Sequence, residues 1–324
     1  MPRALVTGGS GFIGSHLVKD LLDRGWQVLN IDVKPPSRAD YRPYWSETDL
    51  LDLSRLREEV RSFAPDTIFN LAAVADIALA YDQMLANTVG LRNVLSAAEI
   101  MPRPRIIHAS TQLVVKPEYT PSGPTDWAPY TVYGETKAES EKILWEADEA
   151  FVWTIVRPTT VWGPGHPTFA TSTWKYLKRG WYLLPTGSNP LRSYGYVTNV
   201  VQQLAAAAQL DAEQVNRKVF YVGDEPMPLA RWLDKFSIAL RGRPTRRIPG
   251  GALKAVALAG ELLGRIGGPS PINLGRLYRI TTDYPVPMDP AFATLGRGTV
   301  SLEEGVEETV KWLKETMPRE YGTP

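Results

Sequence analysis

Tyr133 and Lys137 stand four residues apart in Tyr133-Gly134-Glu135-Thr136-Lys137, a spacing that puts both side chains on one face of a helix. A cation beside a phenol favours the phenolate and draws its pKa towards working pH, which makes a usable base. The pattern Tyr-x-x-x-Lys is common on helix surfaces, so its place in the chain gives it weight. It follows an apolar run that ends Ile106-Ile107-His108-Ala109-Ser110-Thr111, with Thr111 standing 22 residues before Tyr133. The Thr111 hydroxyl can bond an oxygen of a bound molecule beside the phenol. A Ser-Thr pair at a strand end can equally cap the following turn. Thr111, Tyr133 and Lys137 form a candidate set for moving a proton on or off an alcohol.

The elements that must position this set begin at the N-terminus. Arg3 to Thr7 reads as a short buried strand, and Phe12 to Arg24 has apolar residues at helical spacing. Between them lies Thr7-Gly8-Gly9-Ser10-Gly11-Phe12-Ile13-Gly14, where Gly8, Gly11 and Gly14 are spaced by three. A glycine turn between strand and helix lets backbone N–H groups and the helix N-terminus face a pyrophosphate, where Cβ atoms would obstruct it. The second apolar run, Gln27 to Ile31, closes on Asp32. A carboxylate there can accept from the adenosine ribose hydroxyls and repels a 2′-phosphate, so the pattern predicts NAD rather than NADP. Lys34 and Arg38 follow closely and could blunt that preference.

Strand-like runs recur at residues 3–7, 27–32, 67–71, 105–110 and 151–157, with helical stretches at 12–24, 52–63, 81–99 and 133–149. Repeated βα units with continuous apolar strands predict an α/β fold, a doubly wound parallel sheet of the Rossmann type. Its range is 1–165, with a strand near 218–222 rejoining it. From Pro158 the character changes, and Gly, Pro, Trp and Tyr crowd residues 158–196 as loops that suit a substrate wall. Residues 166–324 read as a smaller, mainly helical substrate-binding region.

The 324 residues carry 36 basic and 35 acidic side chains, so no electrostatic footprint for nucleic acid stands out. The absence of cysteine excludes disulfides, thiolate metal sites and a cysteine nucleophile. His16, His108 and His166 are scattered and adjoin no metal-ligand pattern, which leaves them packing or surface roles and predicts no metal. The apolar stretch Ala252 to Ile266 contains Lys254, Glu261 and Arg265, and is too short and too charged to span a bilayer. Stable membrane insertion is not expected, peripheral contact through that helix is the weaker alternative, and a cytoplasmic enzyme is the default.

With these motifs the chain resembles the extended short-chain dehydrogenase/reductase family, in its NAD-dependent nucleotide-sugar epimerase/dehydratase branch. The resemblance covers nearly the whole chain. Thr7 to Gly14 is similar to the family's T-G-x-x-G-F-I-G, and Asp49-Leu50 to its adenine-contacting D-L. Asn70-Leu71-Ala72-Ala73 resembles H-L-A-A, and Asn87 the helix asparagine. Arg157-Pro158-Thr159-Thr160-Val161-Trp162-Gly163-Pro164-Gly165 resembles R-P-x-N-V-Y-G-P-G, and Leu295-Gly296 with Ser301 to Gly305 its C-terminal signature. The resemblance implies that Gly8, Gly11, Phe12, Ile13, Gly14, Asp32, Asp49, Leu50, Leu71, Ala72, Ala73, Asn87, Tyr133, Lys137 and Pro158 hold NAD. It implies that Thr111, Tyr133 and Lys137 are catalytic. Thr111, Gln112, Thr160 and Arg192 are its substrate-binding candidates, with Arg192 in a position like the diphosphate-binding arginine, though a surface role fits it too.

Dehydratases and decarboxylases of this branch place acidic side chains just after the catalytic Thr or Ser. Here those positions are Gln112 and Leu113, and neither can remove or donate the proton that dehydration needs. Thr160 replaces the usual asparagine, Val115-Lys116 replaces Y-G, and Val197-Thr198-Asn199 stands where many relatives have V-D-D. The expectation is an NAD-dependent epimerase of a UDP- or GDP-linked sugar, acting at C4 through a transient ketone. The alternative is a net dehydrogenase or ketoreductase of a sugar or a 3β-hydroxysteroid-like alcohol, because the Ala252–Ile266 helix also resembles that branch. Helices 81–99 and 133–149 follow neighbouring strands and are the pair through which relatives dimerise, which implies a homodimer.

Overall fold

Strands buried on both faces need continuous apolar runs, and the computed structural model forms them where those runs occur. It describes residues 1–76, 79–102, 104–147, 151–265 and 272–322. Seven parallel strands make one sheet: β1 (Arg3–Thr7), β2 (Gln27–Asp32), β3 (Trp45–Glu47), β4 (Thr67–Asn70), β5 (Arg105–Ala109), β6 (Val152–Pro158) and β7 (Lys218–Val222). Their spatial order is β7-β6-β5-β4-β1-β2-β3. The chain therefore winds outward in one direction from β1 to β3, then crosses back to β4 and continues the other way. Such a reversal opens a crevice at the C-terminal strand ends, beside β1 and β4. Leu5, Ile68, Ile106, Trp153 and Ile155 are fully buried within this sheet.

Helices cover both faces. α1 (Phe12–Asp23) packs against the helix Val197–Gln209, and α2 (Leu53–Phe63), α3 (Val89–Ala98) and α4 (Val132–Trp145) pack side by side. Local chemistry sets their ends. Asp52 accepts from the Arg55 N–H at the start of α2, and Thr131 accepts from the Gly134 N–H at the start of α4. The Arg105 guanidinium donates to the carbonyls of Ala207, Ala208 and Leu210, closing the C-terminal end of Val197–Gln209.

Several elements depart from the sequence expectation, among them the short strand β3, which no apolar run marks. The helix foreseen over 81–99 is broken into a 3₁₀ stretch, Tyr81–Asn87, and α3, with Met84 non-helical. The Asn87 side chain explains the break: its amide bonds both the N–H and the C=O of Val74 and also donates to Thr136 on α4. The helix Val197–Gln209 was not foreseen, although Val197, Val200, Val201, Leu204 and Ala205 repeat at helical spacing and are all buried. The final residues of the helix expected over 133–149, and Ile266 at the end of the apolar stretch 252–266, lie outside the described residues.

The chain forms two compact units. The first holds Met1–Thr160, Val197–Gly223 and Pro287–Gly298; the second holds Val161–Tyr196, Asp224–Val286 and Thr299–Pro324. The second unit is mainly helical, and its core is aromatic. Trp162 meets Tyr196, Trp232 and Phe236 at ring distances of 4.9, 5.9 and 5.3 Å, and Tyr194 stacks on Trp232 at 4.7 Å. Gly305 is where the helix Leu302–Thr316 meets this core, because a Cβ there would lie 2.8 Å from Trp162.

Candidate active site

The glycine turn after β1 is shaped by close approach. Gly8 has φ of +71°, and a Cβ on it would lie 2.7 Å from the Ala72 backbone; one on Gly14 would lie 2.1 Å from the Gly8 carbonyl. These contacts pull the turn against the loop after β4 and bring the start of α1 under it. Gly11 caps α1 with no side-chain hydrogen bond, so no capping side chain stands between that helix end and the turn. Asp32, at the end of β2, accepts from the Ser10 N–H at 3.1 Å and the Lys34 N–H at 2.9 Å. Its carboxylate is thereby fixed beside the turn.

A chain of buried hydrogen bonds runs across the ends of the central strands. The Ala72 N–H donates to Thr7 Oγ1, and Thr7 Oγ1 donates to Asn70 Oδ1 at 2.7 Å. Asn70 Nδ2 therefore faces His108 Nδ1, 3.0 Å away. His108 Nε2 lies 2.9 Å from Ser140 Oγ, which donates to the Lys137 carbonyl. Each donor has one acceptor only if His108 is neutral and carries its proton on Nε2. Burial, and then the Lys137 charge, hold the His108 pKa well below its ordinary value. The sequence pointed to a packing or surface role for His108. The structure instead makes it the link between β4 and α4.

The Lys137 amine is buried 3.4 Å from His108 Nε2. Burial lowers its pKa from 10.5 to about 7, opposed by the nearby Glu141 carboxylate. Tyr133, one turn earlier on α4, is pushed up to about 12 by burial. The expected lowering of the phenol is therefore absent, because desolvation disfavours both charged forms at once. Thr111 accepts from the Leu113 N–H at 3.2 Å, as a cap of the turn Gln112–Val114, while its own O–H remains a donor. That turn lies directly on α4, since a Cβ on Gly134 would come 2.5 Å from the Leu113 carbonyl. Thr111, Tyr133 and Lys137 are thus gathered on one side of the first unit.

Glu141, one further turn along α4, has no freedom to act as an acid. Its carboxylate accepts from Arg157 Nε and Nη2 at 2.9 and 2.6 Å, from Trp127 Nε1 at 2.7 Å, and from Ser110 Oγ. Neither Glu141 nor Arg157 was singled out from the sequence for this pairing. Their spacing along the chain carries no signal for it. Gln112 donates to Thr160 Oγ1 at 3.1 Å, and the buried Pro158 ends β6. Leu50 is buried under α3, where Asn93 holds its carbonyl, and Asp49 is exposed. Arg192 belongs to the second unit. Its Nη1 donates to the Arg279 and Thr282 carbonyls, and its guanidinium lies over the Tyr284 ring.

Residues 4–223 match the NAD dependent epimerase/dehydratase family. The chain belongs to that family. It is an NAD-dependent enzyme of the epimerase and oxidoreductase type. Among curated relatives, it is 28% identical to a 3 beta-hydroxysteroid dehydrogenase/Delta 5-->4-isomerase of Mycobacterium tuberculosis, over 83% of this chain and 78% of that protein. It is 26% identical to the 2-alkyl-3-oxoalkanoate reductase of Stenotrophomonas maltophilia, over 94% and 97%. Among solved structures, the UDP-glucose 4-epimerase of Thermotoga maritima shares the fold, with a TM-score of 0.74 and 21% identity over 97% of this chain and 99% of that one.

The cradle fits the family's NAD. Gly8, Gly11 and Gly14, with the α1 N-terminus, would hold the pyrophosphate, and Asp32 the adenosine ribose. When bound, NAD supplies a hydride acceptor and donor. A methyl group at position 14 has backbone on every near side. Gly14→Ala should weaken NADH binding at least about tenfold, the loss expected for one hydrogen bond to a charged group; unchanged fluorescence titration would refute the cradle.

Lys137 also predicts how stability follows pH. Its pKa is near 7 folded and near 10.5 unfolded, so between those values the unfolded chain binds more protons and stability rises with pH. His108 acts in the same sense below 6.5, and Tyr133 opposes it only above about 10. Denaturant midpoints of the ligand-free chain should climb from pH 7 towards 10, and Lys137→Met should flatten that climb.

Proposed function

We propose that this enzyme epimerises a sugar carried on a nucleoside diphosphate, UDP or GDP, at C4. The observation that supports a diphosphate is an arginine cluster in the second unit. The Tyr182 phenol is raised by burial and lowered by the charges of Arg276, Arg279 and Arg192, so three guanidinium groups lie near one half-buried ring. Nη1 of Arg192 donates to the Arg279 and Thr282 carbonyls, and a guanidinium has five N–H donors. Planar, forked donors of this kind suit phosphate oxygens.

In this reading Tyr133 takes the C4 hydroxyl proton while the C4 hydride leaves to NAD. The ketone turns over and receives hydride and proton on its opposite face. Lys137 supplies the positive charge that a half-buried phenolate requires, and Thr111 donates to the reacting oxygen. Gln112 and Thr160 contact the sugar. Elimination is not expected, because the residues after Thr111 carry no carboxyl group and Glu141 is consumed by Arg157. The second reading, a net dehydrogenase or ketoreductase, is favoured by the dehydrogenase and the reductase among its relatives.

Deuterium at sugar C4 should stay in the 4-epimer, with no build-up of NADH in bulk. Stoichiometric NADH with any UDP- or GDP-sugar would replace epimerase by dehydrogenase. Tyr133→Phe should lower turnover at least about a hundredfold with NADH binding kept, the usual scale for a lost acid–base group.

We also propose a homodimer through the first unit. Tyr81, Leu85 and Val89 form an exposed apolar stripe leading into α3, beside α4. A dimeric mass by light scattering at micromolar concentration is the expected result, and a monomeric mass would exclude it.

A further inference from the structure

The helix Gly250–Arg265 is apolar nearly all round, a pattern that ordinarily means burial on every side. Here only one stripe is buried, formed by Leu253, Ala257 and Gly260. Lys254 and Glu261 fall on a single flank, seven residues apart at helical spacing. The remaining surface, more than a third of the circumference by that spacing, carries Ala252, Ala255, Val256, Leu258, Ala259, Leu262 and Leu263, all exposed. Leu262 is the extreme case at 63% exposed, with Leu263 at 48% and Leu258 at 46%.

The charge around this face is one-sided. Residues 241–265 hold six Lys or Arg and one acidic residue, in a chain whose totals are 36 and 35. Arg243, Arg246 and Lys254 are exposed, and Arg247 pairs with Asp234. The strand Arg246–Ile248 runs straight into the helix and pairs with Leu183–Pro185, just after Trp181. Trp181 is 57% exposed with the Arg179 guanidinium over its ring. Arg241 and Arg246 lie beside Gly180.

We propose that this face of the second unit lies on an anionic membrane surface. An exposed apolar helix flanked by cations and a tryptophan combines the two attractions of interfacial binding, burial of apolar side chains at the acyl boundary and attraction to acidic head groups. The helix is roughly 24 Å long, shorter than a hydrocarbon core, and among the described residues no helix is long and apolar enough to cross a membrane. It rests on the surface rather than spanning it. A second copy is the poorer occupant, since a two-fold contact would set this cationic face against itself.

The test is co-sedimentation of the full chain with vesicles of phosphatidylcholine, alone or with phosphatidylglycerol. Binding to the mixed vesicles should be at least about tenfold stronger than to phosphatidylcholine alone, and should weaken as salt screens the charges. The double variant Leu258→Glu, Leu262→Glu should lose that binding while its thermal melt and NADH titration stay unchanged. Arg243→Glu with Lys254→Glu should lose it with the apolar face intact. No binding to mixed vesicles, equal binding by either variant, or a halved solution mass of the leucine variant would overturn the proposal, the last by identifying a second copy as the occupant.

Discussion

The site depends on one constraint: polar groups buried across the C-terminal ends of β1, β4 and β5 must all be satisfied without water. Thr7, Asn70, His108 and Ser140 meet it as a directed series that ends on the Lys137 carbonyl. Each member fixes the orientation of the next, so the series has one arrangement. An unpaired donor in such a place costs about 1–3 kcal/mol. The glycine turn, the loop after β4 and the helix bearing Tyr133 and Lys137 are therefore held in mutual register by hydrogen bonds, in addition to apolar packing.

The Glu141–Arg157 pair adds a second anchor one turn along α4. Both side chains are almost fully buried, and their ion pair is bidentate. A buried pair of this kind is weak evidence for net stability, because desolvation of both charges offsets their attraction. Its consequence is positional. Arg157 also donates to Tyr221 on β7 and to the Pro124 carbonyl, so α4 is tied to the β6 and β7 side of the sheet while His108 ties it to the β4 and β5 side. The remaining charge on that helix face, Lys137, is left with a pKa near neutrality.

Much of this architecture was legible in the residues. The sheet was readable because buried parallel strands are continuous apolar runs, and the five early runs and Lys218–Val222 all pair in it. The three-residue β3 is too short to carry a period, and the helix expected over 81–99 breaks because Asn87 spends its amide on Val74 and Thr136. Those bonds join residues far apart in sequence, which no local pattern encodes. The same holds for His108, whose neighbours in the chain are apolar and whose partners, Asn70 and Ser140, come from other elements. The second unit was the least legible. Its core is built from ring contacts among Trp162, Trp174, Trp232 and Phe236, and aromatic residues crowded among glycines and prolines look like loops until their partners are known.

What the site can do follows from which groups are still free to exchange a proton. His108 is locked neutral by its two partners, since a proton on Nδ1 would face the Asn70 amide hydrogens. Glu141 is saturated by Arg157, Trp127 and Ser110. Gln112 presents an amide where an acid would be needed for elimination. In the reading proposed above, Tyr133 is the group that gives or takes the proton and Lys137 the charge that tunes it. One such group suffices for hydride transfer at a single alcohol carbon, where one proton moves with one hydride. Elimination needs a second base on an adjacent carbon, so the reaction proposed here is oxidation and reduction at one centre, whether the hydride returns to the same molecule or departs with the cofactor.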